Sequence, residues 1–490
     1  MIGWIVFFLI AAAYAGAFFW LRSRGGRVGG FEAMGPFIMW RTQFGKPAIE
    51  RLSRPRRFWE RAADVGVWAT WIVGILMLAL VVLNAVLTIY LAYTRPSVVA
   101  DSAQPPQNYL GLPGLNPFIP LGYGLVALTV ALVVHEGSHA LMSYVGRIRV
   151  KASGLLFFIV PVGAFVEPDE MDMEKATPRE RLRVFAAGPA SNFVVALVAG
   201  LLLSLAISSS VGLVHDGKGV VVTEVTAGSP AQALGLLPGD VLIRVDGRDV
   251  ASARDFTLAI NDTRAQDRIE LTWLREKREM SNATVLADKY EFFARDAPGA
   301  NDESFRGKGY LGVQTIGLDF VHHLHRDFAN PFRSLGAFFN YTQYPLLAFF
   351  NGFDIYSAQF EDVYEMRGPF AEVPIGVFFG VVYTLFWIVW IDLTLGVFNA
   401  LPAGPLDGGQ MLRTALRARL YKRHGVDPQR LEIQRVEPAG VEVKGTDPDT
   451  QARLDRVQED LRKRTRTVGL FVLVLLLLPI FGPYLVGLFL

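Results

Sequence analysis

The stretch VALTVALVVHEGSHALMSYVG, residues 126–146, contains the feature that decides the fold, because one polar run interrupts an otherwise apolar segment. The run is His135-Glu136-Gly137-Ser138-His139. The surrounding segment, near 119–146, is long enough for a membrane-spanning helix, which needs about 20 mainly apolar residues. A charged side chain at the centre of such a helix costs roughly 2.5–3.5 kcal/mol, so these residues usually face a cavity and serve a function. The sequence therefore predicts a membrane helix that carries a buried polar site.

The composition of the whole chain is that of a membrane protein. Of its 490 residues, 51% are hydrophobic and 19% are charged, whereas soluble domains contain about 25% charged residues. The formal net charge is +2, so no charge excess suggests a nucleic-acid partner. There is no cysteine, which excludes disulfides, thiolate metal sites and a cysteine nucleophile.

Five further apolar segments are long enough to cross a membrane. The first has its arginines after it and no basic region before it, so we expect a retained helix and not a cleaved signal peptide. Residues 21–66 carry ten lysines and arginines, whereas residues 95–118 carry one. Because cytoplasmic loops are the basic ones, we expect the first loop inside the cell and the second outside. In chain order the predicted spans are 2–20, 67–93, 119–146, 184–208, 375–401 and 467–490.

Two more apolar segments are not predicted to span. Residues 152–166 carry no charge, but they are short and contain Pro161, so a re-entrant hairpin covered by protein fits them better. Residues 334–353 are interrupted by polar residues and by Pro345, and we place them at the membrane interface.

Residues 215–316 have the pattern of a soluble β-rich domain. GVVVTEV (219–225) is typical of a strand, and VLIRVDGRDV (241–250) is typical of a hairpin that turns at Asp246-Gly247. The order of strands, turns and short helices resembles a PDZ domain, which adds a peptide to its sheet as an extra strand. GYLGV (309–313) resembles a carboxylate-binding loop, with an ordinary strand end as the alternative.

These patterns predict a polytopic α-helical membrane protein with about six transmembrane helices, a re-entrant β-hairpin and an inserted extracytoplasmic PDZ-like domain. The predicted regions are two N-terminal helices with a basic cytoplasmic loop (1–94), a first part of the catalytic membrane core (119–210), the PDZ-like domain (215–316), an interfacial or linker segment (317–374), a second core part (375–410), a cytoplasmic amphipathic segment (411–466) and a C-terminal transmembrane helix (467–490).

The polar run has the spacing of a metal site. His135 and His139 are four residues apart, so they lie on one face of a helix. Two imidazoles there can bind one zinc ion at about 2.0–2.1 Å. Zinc lowers the pKa of a water molecule from about 15.7 toward about 7, and Glu136, next to the first ligand, can then take the proton. The alternative is a polar patch that pairs with another helix.

Such a site needs a third protein ligand. The other histidines lie outside the predicted spans and cysteine is absent, so a carboxylate is expected. Asp407 lies in FNALPAGPLDGGQ (398–410), whose prolines and glycines would break the preceding helix and bend the chain back toward the histidines. The alternative is an ordinary turn aspartate before Gly408.

Four motifs, in order over about 119–420, resemble the site-2 protease family of intramembrane metalloproteases. HEGSH matches the family's H-E-x-x-H, and Asn399 to Gly408 matches its N-x-x-P-x-x-x-x-D-G. AAGPASN (186–192) is similar to a G-P-x-x-N stretch of the family, and GLLFFIVPVGAFV (154–166) is similar to its re-entrant hairpin. Some members also carry an extracytoplasmic PDZ domain between the catalytic helices.

The resemblance implies a zinc metalloprotease that hydrolyses peptide bonds within or near the transmembrane helices of other proteins, in regulated intramembrane proteolysis. It implies that His135, His139 and Asp407 bind zinc and that Glu136 is the general base. Asn399 would bind the substrate backbone or stabilise the oxyanion.

The resemblance also implies partners and a location. The expected partners are the lipid bilayer and transmembrane substrates already cut by another protease, with no nucleic acid. The expected location is the plasma membrane, with the PDZ-like domain outside the cytoplasm, where it would gate or bind substrate. The residues expected to contact substrate are Gly163, Phe165, Asn192 and Pro402.

Two other functions remain open at this point. One is a membrane zinc peptidase that uses a glutamate ligand and cuts soluble or lipidated peptides, and Asp407 argues against it. The other is a non-enzymatic adaptor, and the intact H-E-x-x-H argues against that. The cluster of His322, His323 and His325 has three interpretations: a second metal site, a pH sensor or a solvated linker.

Overall fold

The structure of the chain is a computed structural model with two compact units, one formed by residues 1–198 and 387–490 and the other by residues 199–386. The residues that the structure describes are 2–43, 45–109, 111, 113–158, 160–213, 217–276, 278–296, 303–351, 361, 363–436 and 440–488.

Helices make up most of the first unit, and the second unit contains helices as well as a sheet. In chain order the α-helices of the described residues are α1 (Ile2–Ser23), α2 (Lys46–Leu52), α3 (Arg56–Thr94), α4 (Pro96–Asp101), α5 (Leu121–Val145), α6 (Glu170–Lys175), α7 (Pro178–Ser210), α8 (Pro230–Leu234), α9 (Ala253–Asn261), α10 (Lys289–Asp296), α11 (Leu318–Ala329), α12 (Leu335–Asn351), α13 (Ile375–Asn399), α14 (Asp407–His424) and α15 (Pro448–Gly487).

Within the described residues, five helices are long and apolar enough to cross a membrane: α3, α5, α7, α13 and α15. The chain is therefore a multi-pass membrane protein. These helices correspond to the second to sixth predicted spans, within a few residues at each end, and 489 and 490 lie outside the described residues. The first predicted span forms α1, and its crossing of the membrane stays a prediction.

The end of the predicted amphipathic segment and the predicted C-terminal span lie on one helix. The 40-residue α15 is continuous from Pro448, so the polar part of the helix and its apolar part form one rod. No glycine or proline lies between Pro448 and Gly469, and nothing in the sequence stops the helix there.

The strands form one sheet in each unit and several short pairs. In chain order they are β1 (Arg27–Val28), β2 (Phe31–Met34), β3 (Phe37–Thr42), β4 (Val150–Phe158), β5 (Val160–Pro168), β6 (Val211–Leu213), β7 (Val220–Val225), β8 (Val241–Val245), β9 (Arg248–Asp249), β10 (Arg268–Arg275), β11 (Arg278–Val285), β12 (Ala287–Asp288), β13 (Gly309–Tyr310), β14 (Val313–Gly317), β15 (Tyr364–Met366), β16 (Leu431–Val436) and β17 (Gly440–Gly445).

The predicted hairpin of residues 152–166 is present as β4 and β5, but it belongs to a larger sheet. Strands β1 to β3 come from the segment predicted as a basic loop. Of these, β3 pairs with β4, and the sheet has the antiparallel order β1-β2-β3-β4-β5. A Cβ atom on Gly154 would lie 1.8 Å from the carbonyl oxygen of Trp40, so only glycine allows β3 to approach β4 there. One edge of the hairpin is therefore covered, and β5 ends the sheet.

The β-rich domain predicted for residues 215–316 is present in the second unit. Its strands have the order β11-β10-β8-β7-β14, with β9 paired to β8. Apolar side chains that alternate along these strands form the core, including Leu242, Leu271 and Trp273. The predicted turn is present as well: Asp246 and Gly247 have φ angles of 47° and 70°, as a tight hairpin turn requires.

The segment after this domain has regular structure. Of the residues predicted at the membrane interface, 334–353, those from Leu335 to Asn351 form α12, and 352 and 353 lie outside the described residues. A fully buried carboxylate, Asp327 on α11, accepts hydrogen bonds from Arg333 and Asn340 and anchors the start of α12. Strand β15 pairs with β6, which follows α7.

Candidate metal centre

Helix α5 presents the two histidines on one buried face. The centres of the His135 and His139 rings are 4.8 Å apart, as expected for side chains one helical turn apart. Nδ1 of His139 is 2.8 Å from the carbonyl oxygen of Val184 on α7. Because this oxygen can only accept, Nδ1 carries the proton, and the lone pair of Nε2 points into the site.

The aspartate predicted from sequence lies against both histidines. Oδ2 of Asp407 is 3.1 Å from Nε2 of His135 and 3.4 Å from Nε2 of His139. Asp407 begins α14 after the chain turns back from the end of α13. A Cβ atom on Gly408 would lie 2.1 Å from the carbonyl oxygen of Ala400, so glycine is required for this return. The predicted bend toward the histidines is present.

The three ligand atoms fit a tetrahedral zinc ion. Zinc about 2.0–2.1 Å from each donor places the donors roughly 3.3–3.4 Å apart in a tetrahedron, close to the two distances measured to Asp407. In the described part of the chain Oδ2 of Asp407 is buried without a hydrogen-bond donor, an arrangement that a cation would stabilise. Among the described residues, no other group of three histidine, aspartate or glutamate side chains brings its ligand atoms this close, so His322, His323 and His325 do not form a second such group.

Glu136 lies beside the first ligand and next to the sheet. The backbone of Val166, on β5, lies against its carboxylate, and β5 packs along α5. The edge strand of the five-stranded sheet therefore passes directly beside the metal centre. Sequence reasoning placed the hairpin near the catalytic helix but did not identify this contact.

Helix α7 closes the site from the other side. A Cβ atom on Gly188 would lie 2.5 Å from Nε2 of His139 and 2.6 Å from Nε2 of His135. The backbone of α7 thus lies directly against both ligands, which leaves no room for a larger residue. The glycine of AAGPASN was quoted as part of a motif, but its contact with the histidines has no local sequence signal.

The other residues expected to bind substrate have definite positions. Asn399 is the last residue of α13, and Pro402 lies in the turn that leads to Asp407. Asn192 is fully buried on α7, and within the described structure neither amide atom has a hydrogen-bond partner. Gly163 and Phe165 lie on β5. Their contacts with substrate stay predictions.

A charged cluster links three elements of the site. Glu174 on α6, which follows β5, lies 2.6 Å from Arg417 on α14 and 3.0 Å from Arg181 on α7. Burial alone would raise the pKa of Glu174, but the two guanidinium groups outweigh it and lower the pKa. The carboxylate therefore stays charged and holds the edge strand, α7 and the helix of Asp407 together.

Zinc metallopeptidases of membranes are the class that this geometry defines. The sequence model of peptidase family M50 matches residues 123–432, and the chain belongs to that family. This confirms the resemblance to the site-2 proteases that the motifs indicated, and with it the zinc metalloprotease activity and the zinc cofactor.

Several relatives are similar to large parts of the chain. An uncharacterized protein of Methanocaldococcus jannaschii is 24% identical over 375 residues, 76% of each chain. The zinc metalloprotease RasP of Shouchella clausii is 26% identical over 249 residues, 49% of this chain and 50% of RasP. The probable membrane metalloprotease ARASP2, chloroplastic, of Arabidopsis thaliana is 27% identical over 324 residues, 59% of this chain and 70% of that protein.

Proposed function

We propose that the protein cuts peptide bonds within or near the transmembrane helices of other membrane proteins. The observation that carries the proposal is that both histidines lie on α5, a helix that can span a membrane, with Asp407 against them at the start of α14 and with Glu136 and the edge strand β5 beside them. A soluble substrate would not need a catalytic group at this depth.

Each polar residue has a role in this chemistry. His135, His139 and Asp407 hold zinc, which when bound polarises the scissile carbonyl and acidifies the attacking water. Glu136 takes the proton from that water and gives it to the leaving amine. Asn399 donates a hydrogen bond to the oxyanion or to the substrate backbone.

A helical substrate must unwind first, because its scissile carbonyl is held in an i to i−4 hydrogen bond. Strand β5 is the open edge to which the unwound segment adds. The backbone of Val166 lies against Glu136, so we infer that its N–H faces away from β4, and the backbone groups of a strand alternate in direction. Ala164, two residues away, therefore directs its N–H and C=O to the same open side. Gly163 and Phe165, the residues on either side of Ala164, would contact the substrate from the faces of the sheet.

Proline at position 164 tests this strand addition. Ala164→Pro is expected to fold and bind zinc, because an edge strand tolerates proline where its N–H faces outward. It would remove the donor that substrate needs, and kcat/KM should fall at least tenfold, about 1.4 kcal/mol. Ala164→Val keeps the N–H and serves as the matched control. Equal activity of the proline and valine variants would exclude addition at this edge.

The β-rich domain is proposed to be a PDZ domain outside the cytoplasm that selects substrates. Strand β14 ends the sheet order of the described strands, and GYLGV (309–313) leads directly into it. A substrate C-terminus released by an earlier cut would add along β14, or the domain would exclude substrates with bulky outer parts. Cleavage of full-length, uncut substrate at the same rate as pre-cut substrate would argue against both roles.

The experiment that tests the main proposal is cleavage by the purified full-length protein in lipid nanodiscs. The substrate is a single-pass protein, and mass spectrometry of the products locates the cut. The proposal predicts a cut inside or next to the transmembrane segment that a zinc chelator stops and added zinc restores. Cleavage of soluble peptides alone would contradict it and favour the other kind of membrane zinc peptidase.

A further inference from the structure

A second polar site lies at the ends of α3 and α5, away from the metal centre. It is a cavity of about 440 Å³, within the range of small-molecule sites of roughly 300–1,000 Å³. Its lining is unusually basic for so few residues. The charged residues that line it are Arg54, Arg56, Arg147, Arg149 and Glu50.

Two of the four arginines are available for a ligand. In the described structure the side chains of Arg54 and Arg147 make no hydrogen bond or ion pair. Arg56 makes only a long contact, 3.4 Å, with the carbonyl oxygen of Tyr144. Arg149 is paired with Asp172 at 2.7 Å and is already neutralised. Glu50 is the one carboxylate in the lining, so the cavity has an excess of positive charge.

The backbone adds to this positive field. Helix α3 begins at Arg56 and is 39 residues long, and within the described residues no side chain caps its first turn. The dipole at such a helix start favours an anion. Together with the guanidinium groups, this arrangement suits a phosphate group, whose oxygens accept several charge-assisted hydrogen bonds.

The position of the cavity indicates where the phosphate comes from. Both α3 and α5 are membrane-spanning candidates. Arg147 lies just after the end of α5, and Arg54 and Arg56 lie at the start of α3, before its apolar part. Phe58, beside the cavity on α3, is 61% exposed, and aromatic side chains at this level mark the membrane interface. Basic pockets between membrane helices are known to hold the head groups of anionic lipids.

We propose that the cavity lined by Arg54, Arg56 and Arg147 binds a phosphate group, and that this group belongs to the head of an anionic phospholipid. Arg147 directly follows the catalytic helix, and Ile148 packs with Val145 and Ala63 in the core between α5 and α3. Bound lipid would therefore fix the end of the helix that carries both histidines. The proposal does not depend on the substrate of the protease.

The test measures binding to the purified full-length protein in neutral detergent by its thermal midpoint. The probes are short-chain phosphatidylglycerol, short-chain phosphatidylcholine and inorganic phosphate. The cavity variant is Arg54→Gln with Arg147→Asn, because asparagine tolerates the positive φ of 59° at position 147. The control is Arg51→Gln with Arg57→Gln, which removes the same charge from exposed arginines outside the cavity.

Phosphatidylglycerol is expected to stabilise the wild type more than phosphatidylcholine does. The cavity variant should bind it about fivefold more weakly for each arginine lost, since one basic residue near an anionic lipid contributes about 1 kcal/mol. The control variant should bind like the wild type. If inorganic phosphate stabilises the protein as well as phosphatidylglycerol does, the phosphate site stands but its ligand is soluble. If the cavity and control variants bind alike, the site is refuted.

Discussion

Replacing Gly188 by alanine is expected to weaken zinc binding although none of the three ligand residues is changed. The added Cβ would lie 2.5 Å from Nε2 of His139 and 2.6 Å from Nε2 of His135, whereas ordinary contacts begin near 3.4 Å. The His139 ring cannot simply rotate away, because its Nδ1 is hydrogen-bonded to Val184 on the same helix as Gly188.

The size of the effect follows from this geometry. One or both rings must retreat from about 2.5 to about 3.4 Å, while ligand distances in zinc sites hold to about 0.2 Å. Disturbing groups that orient zinc ligands typically costs 10- to 100-fold in affinity, about 1.4–2.7 kcal/mol. We expect a loss of that order for Gly188→Ala.

The assay is competition for zinc between the purified protein and a chromophoric chelator. Gly137→Ala is the matched control, because a Cβ on this glycine of the catalytic helix meets nothing within 4 Å. The control should bind zinc like the wild type, and both variants should have wild-type thermal midpoints when zinc is absent. Zinc affinity of Gly188→Ala within twofold of the wild type would refute the reasoning.

Two further predictions concern activity and pH. Asn399→Ala is expected to keep its zinc and lose about 10²–10³ in kcat, as loss of an oxyanion donor does elsewhere; full turnover would exclude that role. Burial and the nearby His322 lower the pKa of His325 to about 4, below its value of about 6.5 in the unfolded chain. Between pH 4 and pH 6.5, roughly, the unfolded chain therefore binds more protons than the folded chain. The stability of the wild type should therefore fall as the pH drops from about 6.5 to about 4, by up to about 3 kcal/mol. His325→Asn should lose this slope in thermal midpoints measured across that range, and an unchanged slope would contradict the assignment.

The chemistry of the site was predictable because it depends on local spacing. Two histidines four residues apart must share a helix face, and the glycines and prolines around Asp407 must bend the chain. Both patterns led to the three residues whose ligand atoms the structure brings together. The glutamate-ligand alternative is not supported, since the carboxylate beside both histidines is that of Asp407.

The parts that sequence reasoning missed depend on contacts between distant segments. Strands β1 to β3 have turn signals at Gly29-Gly30 and Gly35-Pro36, but the pairing of β3 with β4 joins residues more than a hundred positions apart. The contact of Gly188 with the histidines has the same origin. These contacts decide which sheet edge stays open and how tightly the ligands are held. Composition and periodicity do not encode such contacts.

The central claim is that Glu136 acts on a zinc site held by His135, His139 and Asp407. The most direct test measures zinc content and transmembrane-substrate cleavage together for the wild type, Glu136→Gln and Asp407→Ala. We predict that the wild type and Glu136→Gln each hold about one zinc, that Asp407→Ala holds far less, and that only the wild type cleaves. Cleavage by Glu136→Gln, or full zinc retention by Asp407→Ala, would contradict the account.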